Sequence, residues 1–153
     1  MSTSDISFGE VEELIGRWWF VYDQGEIDSF AELFTEDAVF TVGVDDPTIA
    51  WAEFATADAS GRDAIVAWQT EHRLDSPAPL RHHMSGLHRT GTDGDDVTFA
   101  SYILVNQVVD EMPMLLPSGV VTGAVRRDGE ELRIARLDVV LDTRASVPLR
   151  DQR

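Results

Sequence analysis

The stretch from Val11 to Phe40, VEELIGRWWFVYDQGEIDSFAELFTEDAVF, constrains this chain most, because it passes from helical to strand periodicity in one short span. Just before it, Ser7-Phe8-Gly9-Glu10 fits a capping box, with the Ser hydroxyl accepting from a free backbone N–H and the Glu reaching back. Val11, Leu14, Ile15, Trp18 and Tyr22 then recur on one helical face, while Glu12, Glu13 and Arg17 lie off it. Gly25 supplies the stop, and Ile27, Phe30, Ala31 and Phe34 continue a helical pattern as a short second helix. Thr35-Glu36-Asp37 reads as an acidic turn, and Ala38 to Val44 as a strand ended by Asp45-Asp46-Pro47.

Beyond that strand, Thr48 to Ala59 carries Trp51 and Phe54 and is too apolar for a free loop, so an irregular or weakly helical cover is expected. A helix starting near Ser60-Gly61-Arg62-Asp63 continues through Ile65, Trp68 and Gln69 to His72, and Ser76-Pro77-Ala78-Pro79 breaks it. Strands follow: Arg81 to Arg89, Val97 to Val109, Met112 to Val125 and Leu132 to Asp142. Pro113 and Pro117 force an edge or a bulge near the start of the third, and Arg127-Asp128-Gly129-Glu130 is a hairpin turn. Helices first and antiparallel strands later argue for an α+β domain with one curved sheet rather than a doubly wound fold. The length of 153 residues suits a single domain over residues 1–153, with an ordered core at about 7–145 and a frayed tail from Ser146.

Composition removes several function classes. A formal net charge of −16 opposes nucleic-acid binding and anionic membranes alike. All 12 basic residues are Arg, which excludes Schiff-base catalysis by a side-chain amine, and the absence of Cys excludes thiolate nucleophiles and zinc-thiolate sites. MSTSDISFGE has neither a basic segment nor an apolar run, and no later stretch approaches the roughly 20 apolar residues of a membrane span, so a cytoplasmic protein is expected. His82 and His88 are roughly 20 Å apart along an extended strand and cannot share one ion. Neither a metal nor a cofactor is expected.

In its order of motifs the chain resembles the nuclear-transport-factor-2-like superfamily, and within it the SnoaL-like branch of polyketide cyclases and small dehydratases. The resemblance rests on Tyr22-Asp23-Gln24-Gly25-Glu26-Ile27-Asp28, Leu33-Phe34-Thr35-Glu36-Asp37-Ala38-Val39-Phe40, Gly61-Arg62-Asp63-Ala64-Ile65 and Arg81-His82-His83-Met84-Ser85-Gly86. It implies a cone-shaped α+β barrel, with N-terminal helices packed on a curved, mostly antiparallel sheet and an apolar pocket at the mouth. Such a scaffold does not by itself name an activity. Dehydratase-like members place a catalytic Asp near position 23 and often a Tyr five residues earlier, where this chain has Trp18. The resemblance also puts His82 at the inward strand histidine. Steroid isomerases carry their base on the first strand at the position of Val42, and valine cannot take a proton.

From the residues alone, Asp23 closes the first helix, where the helix dipole and burial beside Trp18 and Tyr22 both disfavour its anion; that suits a general acid or base, and a solvated turn Asp is the plainer reading. His82 and His83 are adjacent on a strand, so only one enters the pocket. An Asp23–His82 pair across the pocket would divide the proton transfers, with Tyr22 as a substitute donor. Trp18, Phe40, Trp51, Trp68, Met84, Tyr102 and Asn106 are the expected substrate-binding residues, with Tyr102, Leu104 and Asn106 facing inward. Trp18 and Trp19 are not expected to face inward together. Ile103, Val105 and Gln107 would then form a second, covered sheet face, through which a homodimer is expected. The reading that results is a cofactor-independent lyase or isomerase, of dehydratase or cyclase type, acting on a small polycyclic or otherwise apolar molecule, or else a non-catalytic hydrophobic-ligand-binding or assembly protein of the same fold.

Overall fold

The computed structural model describes residues 6–142, 144 and 146–152. The N-terminal residues read for a targeting segment include 1–5, and the expected ordered core includes Thr143 and Ala145; these, with Arg153 of the tail, lie outside the described residues.

Helix α1 spans Phe8–Gln24 and starts at the expected capping box, in which Ser7 accepts from the Glu10 N–H while the Glu10 carboxylate takes the Ser7 N–H. Such a cap is worth about 1 kcal/mol. The helix stops at Gly25, whose left-handed φ of 71° returns its N–H to the Val21 and Tyr22 carbonyls. The expected second helix is instead a pair of 3-10 turns, Ile27–Ser29 and Ala31–Leu33, which seat Phe30 and Leu33 in the core.

Strand β1, Phe34–Val44, begins before the acidic residues, so Thr35-Glu36-Asp37 is not a turn but a bulged part of the strand. The expected cover resolves into a single helical turn α2, Ala52–Ala55, and a short strand β2, Ala57–Ser60. Helix α3 covers Arg62–Asp75, and the long strands β3 (Leu80–Asp93), β4 (Asp96–Val109), β5 (Met112–Asp128) and β6 (Glu131–Leu141) complete the chain, followed by a 3-10 turn at Leu149–Asp151. The six strands form one sheet in the order β2-β1-β6-β5-β4-β3, antiparallel except between β1 and β6.

Bulges bend this sheet around α1 and α3 into the expected cone-shaped α+β barrel. Pro113 and Pro117 lie on the part of β5 that pairs only with β4, since pairing with β6 begins at Gly119; a register shift opposite Leu104 and Asn106 accompanies them. Gly123 has no room for a side chain, because a Cβ there would lie 2.4 Å from the Arg136 carbonyl and 2.7 Å from the Phe99 ring. Trp18, Phe30, Phe34, Phe99, Ile134 and Leu137 fill the centre of the core. Among the described residues no helix is long and apolar enough to cross a membrane.

Candidate active site

Between α1, α3 and the concave face of the sheet lies a cavity of about 360 Å³. Its walls are mainly aromatic and aliphatic, and Trp18, Phe40, Trp51 and Trp68 all line it. So does Trp19, against expectation: both indoles are buried, with ring centroids 3.8 Å apart. The end of α1 is enclosed by β3 on one side and α3 on the other, so its buried arc is wider than a single helical stripe, and from Trp18 to Asp23 Phe20 alone is exposed.

Asp23 is buried at the end of α1 and does not line the cavity. Its Oδ2 accepts the His82 backbone N–H at 2.7 Å, and its Oδ1 lies 2.6 Å from His82 Nδ1. A carboxylate can only accept, so Nδ1 carries the proton and Nε2 is left for the cavity that His82 lines. The pair is thus one contiguous unit rather than two groups facing each other across the pocket, and Asp23 acts by orienting His82. Trp19 stacks on the imidazole at 4.3 Å and Tyr22 meets it edge-on at 5.6 Å, which fixes the ring plane. His83 points to the outer face and contacts the Asn106 side chain.

A second imidazole, His72 on α3, also lines the cavity. It is sandwiched between Trp68 and Phe54, at 4.4 and 4.5 Å. Burial first, then His82 and Arg73 nearby, push its pKa down to about 4, so it is neutral at pH 7. The Tyr22 hydroxyl contacts His72 Nδ1. Burial pushes the Tyr22 phenol well above its usual range, so it keeps its proton and donates. With Nδ1 accepting, the His72 ring proton sits on Nε2, a buried atom without a partner among the described residues. One turn earlier, Gln69 is completely buried and lines the cavity, and among the described residues neither its amide oxygen nor its nitrogen has a partner.

Arg73 ties the two helices together. From α3 its Nε donates to the Tyr22 carbonyl at 2.9 Å and its Nη2 to the Asp23 carbonyl at 2.8 Å, while Nη1 reaches Pro77 at 3.2 Å. The guanidinium thereby satisfies the open carbonyls at the end of α1 and places a cation where the helix dipole is negative.

Three expected pocket residues stand elsewhere. Tyr102 is 62 % exposed on the convex face, and Asn106 is half-buried on the same side against His83. The face assignment of β4 is therefore inverted: Ile103, Val105 and Gln107 line the cavity. Met84 shares the face of His82, two residues further along β3, and packs on the core without lining the cavity. Sequence reasoning missed Gln69, His72 and Arg73. The signal for the first two was available, since they extend the buried stripe of Ile65 and Trp68 at helical spacing. Among the described residues no three His, Asp or Glu side chains converge as metal ligands.

The SnoaL-like domain family matches residues 7–138, most of the chain. The chain belongs to this SnoaL-like family. Comparison with curated proteins finds no match. Among solved structures, an NTF2-like protein with a cystatin-like fold from Novosphingobium aromaticivorans superposes with a TM-score of 0.70 at 24% identity, over 94% of this chain and 86% of that one. ActVI-ORFA from Streptomyces coelicolor gives 0.70 at 24% identity over 88% and 96%. A Catenulispora acidiphila protein solved in complex with S-DNPA gives 0.71 at 25% identity over 88% and 92%. These likenesses concern the fold; the chemistry of this SnoaL-like chain rests on its own cavity.

Proposed function

We propose that this protein is a cofactor-independent lyase or isomerase, of the dehydratase or cyclase type, acting on a small apolar and in part cyclic metabolite. The observation that carries the reading is the Asp23–His82 contact, with His82 Nε2 left for an apolar cavity. His82 Nε2 takes a proton from carbon beside a substrate carbonyl while His72 Nε2–H, held in that tautomer by the Tyr22 hydroxyl, donates to the carbonyl oxygen. The imidazolium then returns its proton to a leaving hydroxyl, which departs as water, or to another carbon, which completes an isomerisation. Asp23 holds the ring in the required tautomer throughout, and the aromatic walls position the substrate and exclude water. The Catenulispora relative, solved with a small molecule, supports the use of the cavity for a ligand.

The first half-reaction is testable without the natural substrate. In D2O the protein should exchange the α-hydrogens of 1-indanone for deuterium above the buffer rate, and H82Q should remove this excess. Exchange that persists in H82Q sinks the assignment. A hydrophobic-ligand-binding protein without catalysis is the second reading, favoured by the nearly unbroken apolar wall; it expects 1-indanone to bind with no exchange above buffer.

The same reading includes a homodimer, through the convex face rather than the face expected from sequence. Tyr102, Val120 and Val140 stand opposite one another on β4, β5 and β6 and are all exposed. An apolar row of this kind is covered well by a second copy of itself. Sedimentation should give a dimer, which Y102E disperses; a wild-type monomer at micromolar concentration removes this part.

A further inference from the structure

The cavity contains more hydrogen-bonding capacity than the Asp23–His82 unit uses. Gln69 presents an amide donor and an amide acceptor, both buried and unpaired, on a side chain with no exposed surface. One turn along the same face of α3, His72 Nε2 is likewise buried without a partner, and so are the indole nitrogens of Trp18 and Trp19. All four residues line the cavity. Leaving such a group unpaired costs about 1–3 kcal/mol, so an apolar residue at position 69 would serve the fold better. The charge of the site points the same way. Among the described residues lining the cavity there is no Arg, Asp or Glu, and His82, which does line it, is paired with the Asp23 carboxylate.

We infer that Gln69 is the specificity-determining residue of this cavity, and that its ligand is a neutral, flat ring system with a hydrogen-bond donor and acceptor side by side, such as a hydroxyl next to a carbonyl. The two ends of one carboxamide read both groups at once, whichever way the amide is turned. His72 Nε2–H and the indole N–H groups then favour further acceptor oxygens on the ligand. A site built this way rejects an analogue lacking those oxygens, because its own polar atoms stay unpaired, and it rejects a carboxylate, for which it offers no cation. This inference rests on the reading of the cavity as a substrate site and adds the class of molecule it selects.

Three probes with one ring system test it: 1-naphthamide, which carries a paired donor and acceptor; 1-methylnaphthalene, which carries neither; and 1-naphthoate, which is charged. Wild-type protein should bind 1-naphthamide at least tenfold more tightly than either of the others in calorimetry. In 1H–15N spectra the Gln69 side-chain NH2 signals, identified as the pair missing from Q69L, should move on binding. Q69L should lose the preference for 1-naphthamide and yet melt at a higher temperature, since it removes two unpaired buried atoms. A Gln69 that served the fold alone would show the reverse, a lowered melting temperature with unchanged selectivity. If 1-naphthamide and 1-methylnaphthalene bind wild-type protein equally and shift the Trp18 and Trp19 indole signals but not Gln69, the inference is overturned while the cavity remains a ligand site. If none of the probes shifts any cavity signal, both this inference and the proposed function fall.

Discussion

Two walls of one cavity each present a histidine, and the two could hardly differ more. On the strand wall, His82 is hydrogen-bonded to the buried carboxylate of Asp23 and stacked on one indole. On the helix wall, His72 lies between two aromatic rings and, among the described residues, its ring nitrogens meet a phenol and no carboxylate. The same side chain is oriented through Nδ1 by a carboxylate in one setting and kept neutral by burial among rings in the other. Tyr22 touches both rings, and Arg73 ties α3 to the end of α1 between them.

Substitutions should separate the two walls. The largest effect is expected for H82Q, which should lower α-hydrogen exchange by about 10²- to 10⁴-fold, the usual contribution of a general base. H72Q should lower it far less, and equal losses in the two variants would erase the distinction. R73M removes a buried guanidinium that satisfies carbonyls at the end of α1 and just after α3, and should cost about 3 kcal/mol in denaturant unfolding. Y22F should cost about 1 kcal/mol by removing a single hydrogen bond to His72; a Y22F loss as large as that of R73M would mean the phenol, not the guanidinium, joins the walls.

The smallest effect concerns pH. The folded-state pKa of His72 lies near 4, below its ordinary value of 6.5, so between these values the unfolded chain binds more protons and stability falls as pH drops. Wild-type melting temperature should therefore fall relative to H72Q from about pH 6.5 to 4. Glu10 acts in a lower window, because Ser7 and Arg127 hold its carboxyl at about 2 and that stabilisation is lost only as pH falls from 4.5 toward 2. Parallel wild-type and H72Q curves between pH 6.5 and 4 would remove the assignment of His72 as the buried neutral ring.

Much of the fold was legible because it is written in local chemistry. The capping box at Ser7, the glycine stop at Gly25, the two prolines on the unpaired part of β5 and the turn at Gly129 each act within a few residues. The faces of β4 were not legible, since Tyr102, Leu104 and Asn106 alternate with Ile103, Val105 and Gln107, and both sets include apolar and polar members. Only the direction in which the sheet curls decides which set is inside, and that direction comes from bulges in neighbouring strands. The helix wall was missed for a related reason. The environment of His72 is assembled from α1, α2 and α3, and no single segment reveals it.

The central claim is that Asp23 holds His82 with its Nδ1 protonated and its Nε2 open to the cavity. Nitrogen-detected NMR of the histidine rings at alkaline pH tests this most directly. The wild type should show His82 as the Nδ1–H tautomer, with a strongly deshielded ring proton that disappears in D23N while the fold persists. A wild-type His82 in the Nε2–H tautomer, unchanged by D23N, would contradict the account.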